Sequence, residues 1–71
     1  MLEQTIQQKV GKRIQEIRIE KNISQQELAS KCNFEKSNMS RLEKGNANAT
    51  LSTLEKVCNA LEVDYRELFK F

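Results

Sequence analysis

The sequence predicts an all-α fold built from five short helices. Three observations lead there. Proline is absent and only two glycines occur among 71 residues, while the strong helix formers Glu, Gln, Lys, Leu and Ala are plentiful. Apolar residues recur at spacings of three and four, with no alternating strand pattern. Between Ser24 and Gly45, two capped helix signatures stand only a few residues apart, the sequence form of a helix-turn-helix.

Leu2, Ile6, Val10, Ile14 and Ile17 describe a first helix of roughly residues 4–21, closed at Asn22. Gly11 sits inside it, where Gly is about 1 kcal/mol less favourable than Ala, so another helix is expected to approach its backbone closely. Ser24 caps the second helix, and Glu27, three residues on, completes a capping box. Leu28, Ala29 and Cys32 form its buried side, and Asn33 supplies the left-handed residue of a sharp turn.

In the third helix, Met39 and Leu42 point inward together with Phe34 from the turn. At 100° per residue this leaves Ser37, Ser40, Arg41 and Lys44 outside, with Lys36 beside them. Gly45 ends the helix as a left-handed cap. The polar linker 45–49 leads to Thr50, the N-cap of a fourth helix whose buried stripe is Leu51, Leu54, Val57, Cys58 and Leu61. Asp64 and Glu67 form a second capping box for a short last helix, docked by Val63, Leu68 and Phe69. Residues 1–71 are expected to form a single domain with no separate sensor domain.

The net charge of +2 and pI near 8.7 do not by themselves announce a nucleic-acid partner, so the distribution of charge carries that argument. A polar stripe on a helix held by its opposite face suits the reading of base edges, although on an arbitrary amphipathic helix it is simply a solvated face. No His, no phosphate-cradling Gly loop and scattered carboxylates leave no general-base constellation, so no enzyme activity is expected. The two cysteines fall at apolar helical positions and lack partners for a zinc site; buried reduced thiols are expected, with a Cys32–Cys58 disulfide as the alternative. No metal, cofactor or small-molecule ligand is expected. No apolar run approaches the ~18 residues of a membrane span and no secretory leader is visible, so no membrane association and a cytoplasmic location are expected.

GKRIQEIR (11–18), SQQELA (24–29), MSRLEKG (39–45) and TLSTLEKVCNALEV (50–63) stand in the order and spacing of the lambda-repressor-like helix-turn-helix family, which includes the Cro and xenobiotic-response-element type regulators. The chain resembles that family over roughly residues 10–69. The resemblance implies a five-helix fold and sequence-specific binding of double-stranded DNA through helix three, usually as a homodimer on a palindromic operator. It assigns base contacts to Lys36, Ser37 and Arg41, with Ser40 beside them, and gives Gln25 a backbone-anchoring role that also touches helix three. It implies a partly buried ion pair between Arg18 and Glu43. On this reading Gln25, Lys44, Asn46 and Asn48 hold phosphates.

Three positions depart from the family pattern. Asn33 stands where Gly is common and Ala49 where Pro often precedes helix four; both changes are conformationally mild. Glu35 replaces a usual Ser or Thr. Its carboxylate is either repelled by phosphates, complementary to the helix dipole, or an acceptor for a cytosine amine. Tyr65, Phe69 and Phe71 supply more apolar surface than one short helix needs, and either close the core or form a seam between two copies. The competing function is a protein-interaction module, antitoxin-like or scaffolding, whose third helix binds protein.

Overall fold

Four α-helices and one terminal 3₁₀ helix follow one another in the computed structural model, which describes residues 4–71: α1 Ile6–Glu20, α2 Gln25–Lys31, α3 Lys36–Lys44, α4 Leu51–Leu61, and the 3₁₀ helix Tyr65–Phe69. The expected fifth α-helix is thus a 3₁₀ helix. Its cause is local. The Asp64 side chain accepts from the backbone N–H of Arg66 at 2.9 Å, and the Glu67 N–H donates to the Asp64 carbonyl at 2.9 Å, which tightens the turn. Glu67 does not reach back to complete a capping box. Its carboxylate is held instead by Arg13 at 3.2 Å and Lys70 at 2.8 Å.

Each α-helix ends in the same way. A residue in the left-handed region (Asn22 φ 59°, Asn33 φ 60°, Gly45 φ 80°, Glu62 φ 58°) is followed by one whose N–H turns back to a carbonyl five residues earlier. These bonds are Ile23 to Arg18 (3.0 Å), Phe34 to Ala29 (2.8 Å), Asn46 to Arg41 (2.9 Å) and Val63 to Cys58 (3.1 Å). Ile23, Phe34 and Val63 also pack on the core, the apolar contact that accompanies this type of cap.

The N-termini are capped too. Thr5 and Gln8 form a reciprocal box that starts α1. Ser24 accepts from the Glu27 N–H at 3.0 Å, but the returning half of the expected Ser24–Glu27 box is not made. Thr50 accepts from Thr53 at the start of α4.

The core comprises Val10, Ile14 and Ile17 of α1, Leu28, Ala29 and Cys32 around α2, Met39 and Leu42 of α3, Val57, Cys58 and Leu61 of α4, and Leu68 of the 3₁₀ helix. Gly11 meets the C-terminal end of α3 directly: a Cβ there would overlap the carbonyl oxygens of Leu42 and Glu43, the latter at 2.7 Å. Both cysteines are buried and free, and burial pushes both thiols up from their ordinary value of 9.0.

Two expected core positions are corrected. Leu51 is 85% exposed, because at the first turn of α4 its side chain lies beyond the edge of the core. Phe69 is 48% exposed and covers the core only in part, leaving Leu68 to anchor the turn. Ile6, one turn beyond Val10, is also exposed, and Leu2 lies outside the described residues. Among the described residues, no helix is long and apolar enough to cross a membrane.

Candidate nucleic-acid interface

The third helix is fixed by its inner face. Met39 is fully buried, Leu42 nearly so, and beside them the Glu43 side chain is 2% exposed. A carboxylate so deeply buried needs an opposite charge and hydrogen bonds beside it. Arg18 supplies both: its Nε donates to Glu43 Oε2 at 2.8 Å and its Nη2 to Oε1 at 3.1 Å, a bidentate clamp from α1. The remaining guanidinium nitrogen, Nη1, donates to the Ile23 carbonyl at 2.9 Å, tying in the α1–α2 turn. Gln25 Nε2, at the first position of α2, donates to Glu43 Oε1 at 3.0 Å. Glu43 therefore joins three helices, and the implied Arg18–Glu43 pair is present.

The outer face is free. Lys36, Ser37, Asn38, Arg41 and Lys44 are exposed, and Ser40 is half-buried at the margin of the stripe. The ion pairs among the described residues engage none of Lys36, Arg41 or Lys44. Asn38 is a position that sequence reasoning missed. It lies one turn before Leu42 and Arg41 on the exposed side, and the 100° rule that selected Ser37 and Arg41 places it next to them.

Asn38, Arg41, Asn46 and Asn48 line one open recess of about 350 Å³, floored by Phe34, Leu42 and Thr53. It brings together three of the predicted contact residues, Arg41, Asn46 and Asn48. Gln25 stands apart at the start of α2, and Lys36 and Ser37 occupy the first turn of α3. Glu35 is the N-cap of α3 but its side chain makes no capping hydrogen bond, so this exposed carboxylate is not occupied in closing the helix.

Away from this face, Arg13 ties α1 to the 3₁₀ helix through the Glu67 carbonyl at 2.8 Å and carboxylate at 3.2 Å. The Lys70 hydrogen bond, with help from Arg13, holds the Glu67 carboxyl below its ordinary value of 4.5. Leu51, Tyr65 and Phe69 rim an apolar recess of about 390 Å³ over Leu54, Cys58 and Leu68. Phe71 lies outside that recess, 6.2 Å from Phe69 and beneath the Lys9 ammonium at 5.5 Å. Among the described residues, no three of His, Cys, Asp or Glu gather as metal ligands.

A recognition helix clamped from behind and open in front, in an all-α body of this topology, is a lambda-repressor-like helix-turn-helix, the class of proteins that regulate transcription by binding specific DNA sequences. The chain belongs to the Cro/C1-type HTH DNA-binding domain family, whose model matches residues 13–71. It is 36% identical over 62 residues to the control protein C.BamHI of Bacillus amyloliquefaciens, covering 86% of this chain and 76% of that one. The restriction-modification controller protein C.AhdI of Aeromonas hydrophila superposes with a TM-score of 0.84 at 35% identity, over 87% of this chain and 94% of that one. The controller C.Esp1396I, solved as a tetramer in complex with its natural 35 base-pair operator, superposes with a TM-score of 0.84 at 34% identity, over 96% and 90% of the two chains.

Proposed function

We propose that residues 1–71 act as one DNA-binding domain that pairs with a second copy and sets α3 of each copy into the major groove of a palindromic operator. Arg41, with Lys36 second, donates to guanine O6 and N7, and Ser37 and Ser40 bond base edges or backbone. Gln25, Lys44, Asn46 and Asn48 hold phosphates and fix the register. The chain acts by binding rather than by catalysis, in the cytoplasm. The observation that carries this reading is the division of α3, with Met39, Leu42 and Glu43 sealed inside and a row of uncompensated donors outside.

The seam between copies is the recess rimmed by Leu51, Tyr65 and Phe69, with Phe71 at its margin. Exposed apolar side chains gathered on one face of a small domain favour a self-complementary contact. Such a dimer places half-sites about 34 Å apart on one side of the duplex. Similarity over most of both chains to control proteins of restriction-modification systems supports a regulator of that kind.

The test is selection of bound fragments from a genomic library, followed by sequencing. Enrichment of one inverted repeat with half-sites a helical turn apart is the expected outcome. Recovery of fragments with no common sequence overturns the operator reading.

A further inference from the structure

We infer that the first turn of α1 is a positioning element for the DNA-facing linker, and that Gln7 sets the orientation of the Asn48 side-chain amide. The inference rests on the proposal above that Asn48 donates to a phosphate. Gln7 Nε2 donates to Asn48 Oδ1 at 3.0 Å, across 41 residues of sequence. An amide side chain has one acceptor end and one donor end. With its oxygen taken by Gln7, Asn48 turns its NH₂ outward, the only end that can bond a phosphate oxygen. Without Gln7 the amide samples both orientations, and one of them presents oxygen to oxygen.

Two further contacts make this support rigid. The Thr5–Gln8 capping box fixes the turn that carries Gln7: Gln8 N–H donates to Thr5 Oγ1 at 3.1 Å and Thr5 N–H to Gln8 Oε1 at 2.9 Å. Gly45, at φ 80°, lies against Gln8 so closely that a Cβ there would be 2.6 Å from the Gln8 Cα. The linker therefore touches α1 at both ends, through Gly45 on Gln8 and Asn48 on Gln7. Ile6 and Gln7 also line a small cleft of about 150 Å³ with Ala47, Asn48 and Ala49. Asn48 is presented from this double support.

The experiment is a cycle of Gln7→Ala, Asn48→Ala and the double variant, each titrated with operator DNA over a range of salt and each melted thermally. Gln7→Ala should weaken binding about three- to tenfold when Asn48 is present, the span of one hydrogen bond, and should have no effect in the Asn48→Ala background. The salt slope should not change, because neither residue carries charge. Thermal unfolding reports any purely structural role, which would persist in both backgrounds. If Asn48→Ala weakens binding and Gln7→Ala weakens it equally in both backgrounds, the positioning role is overturned and the phosphate role stands. If Asn48→Ala leaves affinity unchanged, the phosphate role fails and the inference fails with it.

Discussion

Gly11 and Leu42 meet backbone to backbone: the α1 helix passes so close to the end of α3 that the Leu42 carbonyl occupies the space a Gly11 side chain would need. Two effects of Gly11→Ala oppose each other. Alanine raises helix propensity by about 1 kcal/mol, whereas a methyl forced against two carbonyls costs roughly 1–3 kcal/mol, because backbone cannot swing away as a flexible side chain does. The clash should win. A net loss of up to about 2 kcal/mol in urea unfolding is expected, and a stabilised variant would show that α1 and α3 do not meet at Gly11.

The Arg18–Glu43 pair yields a sharper contrast. Replacing Glu43 by Ala strands a guanidinium that is 11% exposed, and should remove about 3–5 kcal/mol. Replacing both, Arg18→Met with Glu43→Leu, should recover much of that loss, since no buried charge is left uncompensated. Denaturant titration of the two variants beside the parent chain decides it. Equal losses for the single and double changes would mean that desolvation of the charges does not set the penalty.

On the outer face, Arg41→Ala should lose about 1–3 kcal/mol on the selected operator and little on random DNA. Lys44→Ala should weaken both alike and reduce the salt slope by about one. Titrations of each variant on both duplexes at several salt concentrations separate base reading from phosphate holding. Equal losses on specific and random DNA for Arg41→Ala would remove its base-reading role.

Leu51→Glu should convert a dimer into a monomer while changing the unfolding free energy of one copy, compared at concentrations where both proteins are monomeric, by no more than about 0.5 kcal/mol, since a side chain 85% exposed contributes little to the core of one copy. Sedimentation equilibrium and thermal melts measure the two quantities. A variant that remains dimeric would place the seam elsewhere.

Much of this architecture is legible in the sequence because it is punctuated by local chemistry. Asn22, Asn33 and Gly45 occupy left-handed positions that few residue types tolerate, and Ser24 and Thr50 are good caps, so the ends of the helices can be read directly. The box that starts α1 also had its signature, Thr5 followed three residues later by Gln8, although the apolar stripe reaching back to Leu2 drew the expected start earlier. Glu62 carries no such signal: a Glu at φ 58° is held there by its neighbours, with Val63 packed on the core. Leu51 misleads for a related reason. Its spacing from Leu54 and Cys58 fits a buried stripe, but periodicity gives a direction around a helix and does not reveal where along its length the core stops.

The proposed DNA-contacting residues divide in the same way. Lys36, Ser37, Arg41 and Lys44 follow from angular position once Met39 and Leu42 are fixed inside, and their exposure agrees. Ser40 lies nearer the margin, half-buried, and the same angular geometry sets exposed Asn38 beside Arg41. The contact of Gln7 with Asn48 was beyond sequence reasoning, because two exposed amides 41 residues apart have no pattern that links them.

One consequence follows from Glu43 being gripped by Arg18 and Gln25 while no stabilising side-chain bond runs outward from the first turn of α3. If the exposed face of α3 reads bases as proposed, its letters can be rewritten with little penalty to folding, since the grammar that holds the helix in place is written on its reverse. On that proposal, a lineage carrying this scaffold could change the sequence it addresses through a handful of surface codons and keep the same body.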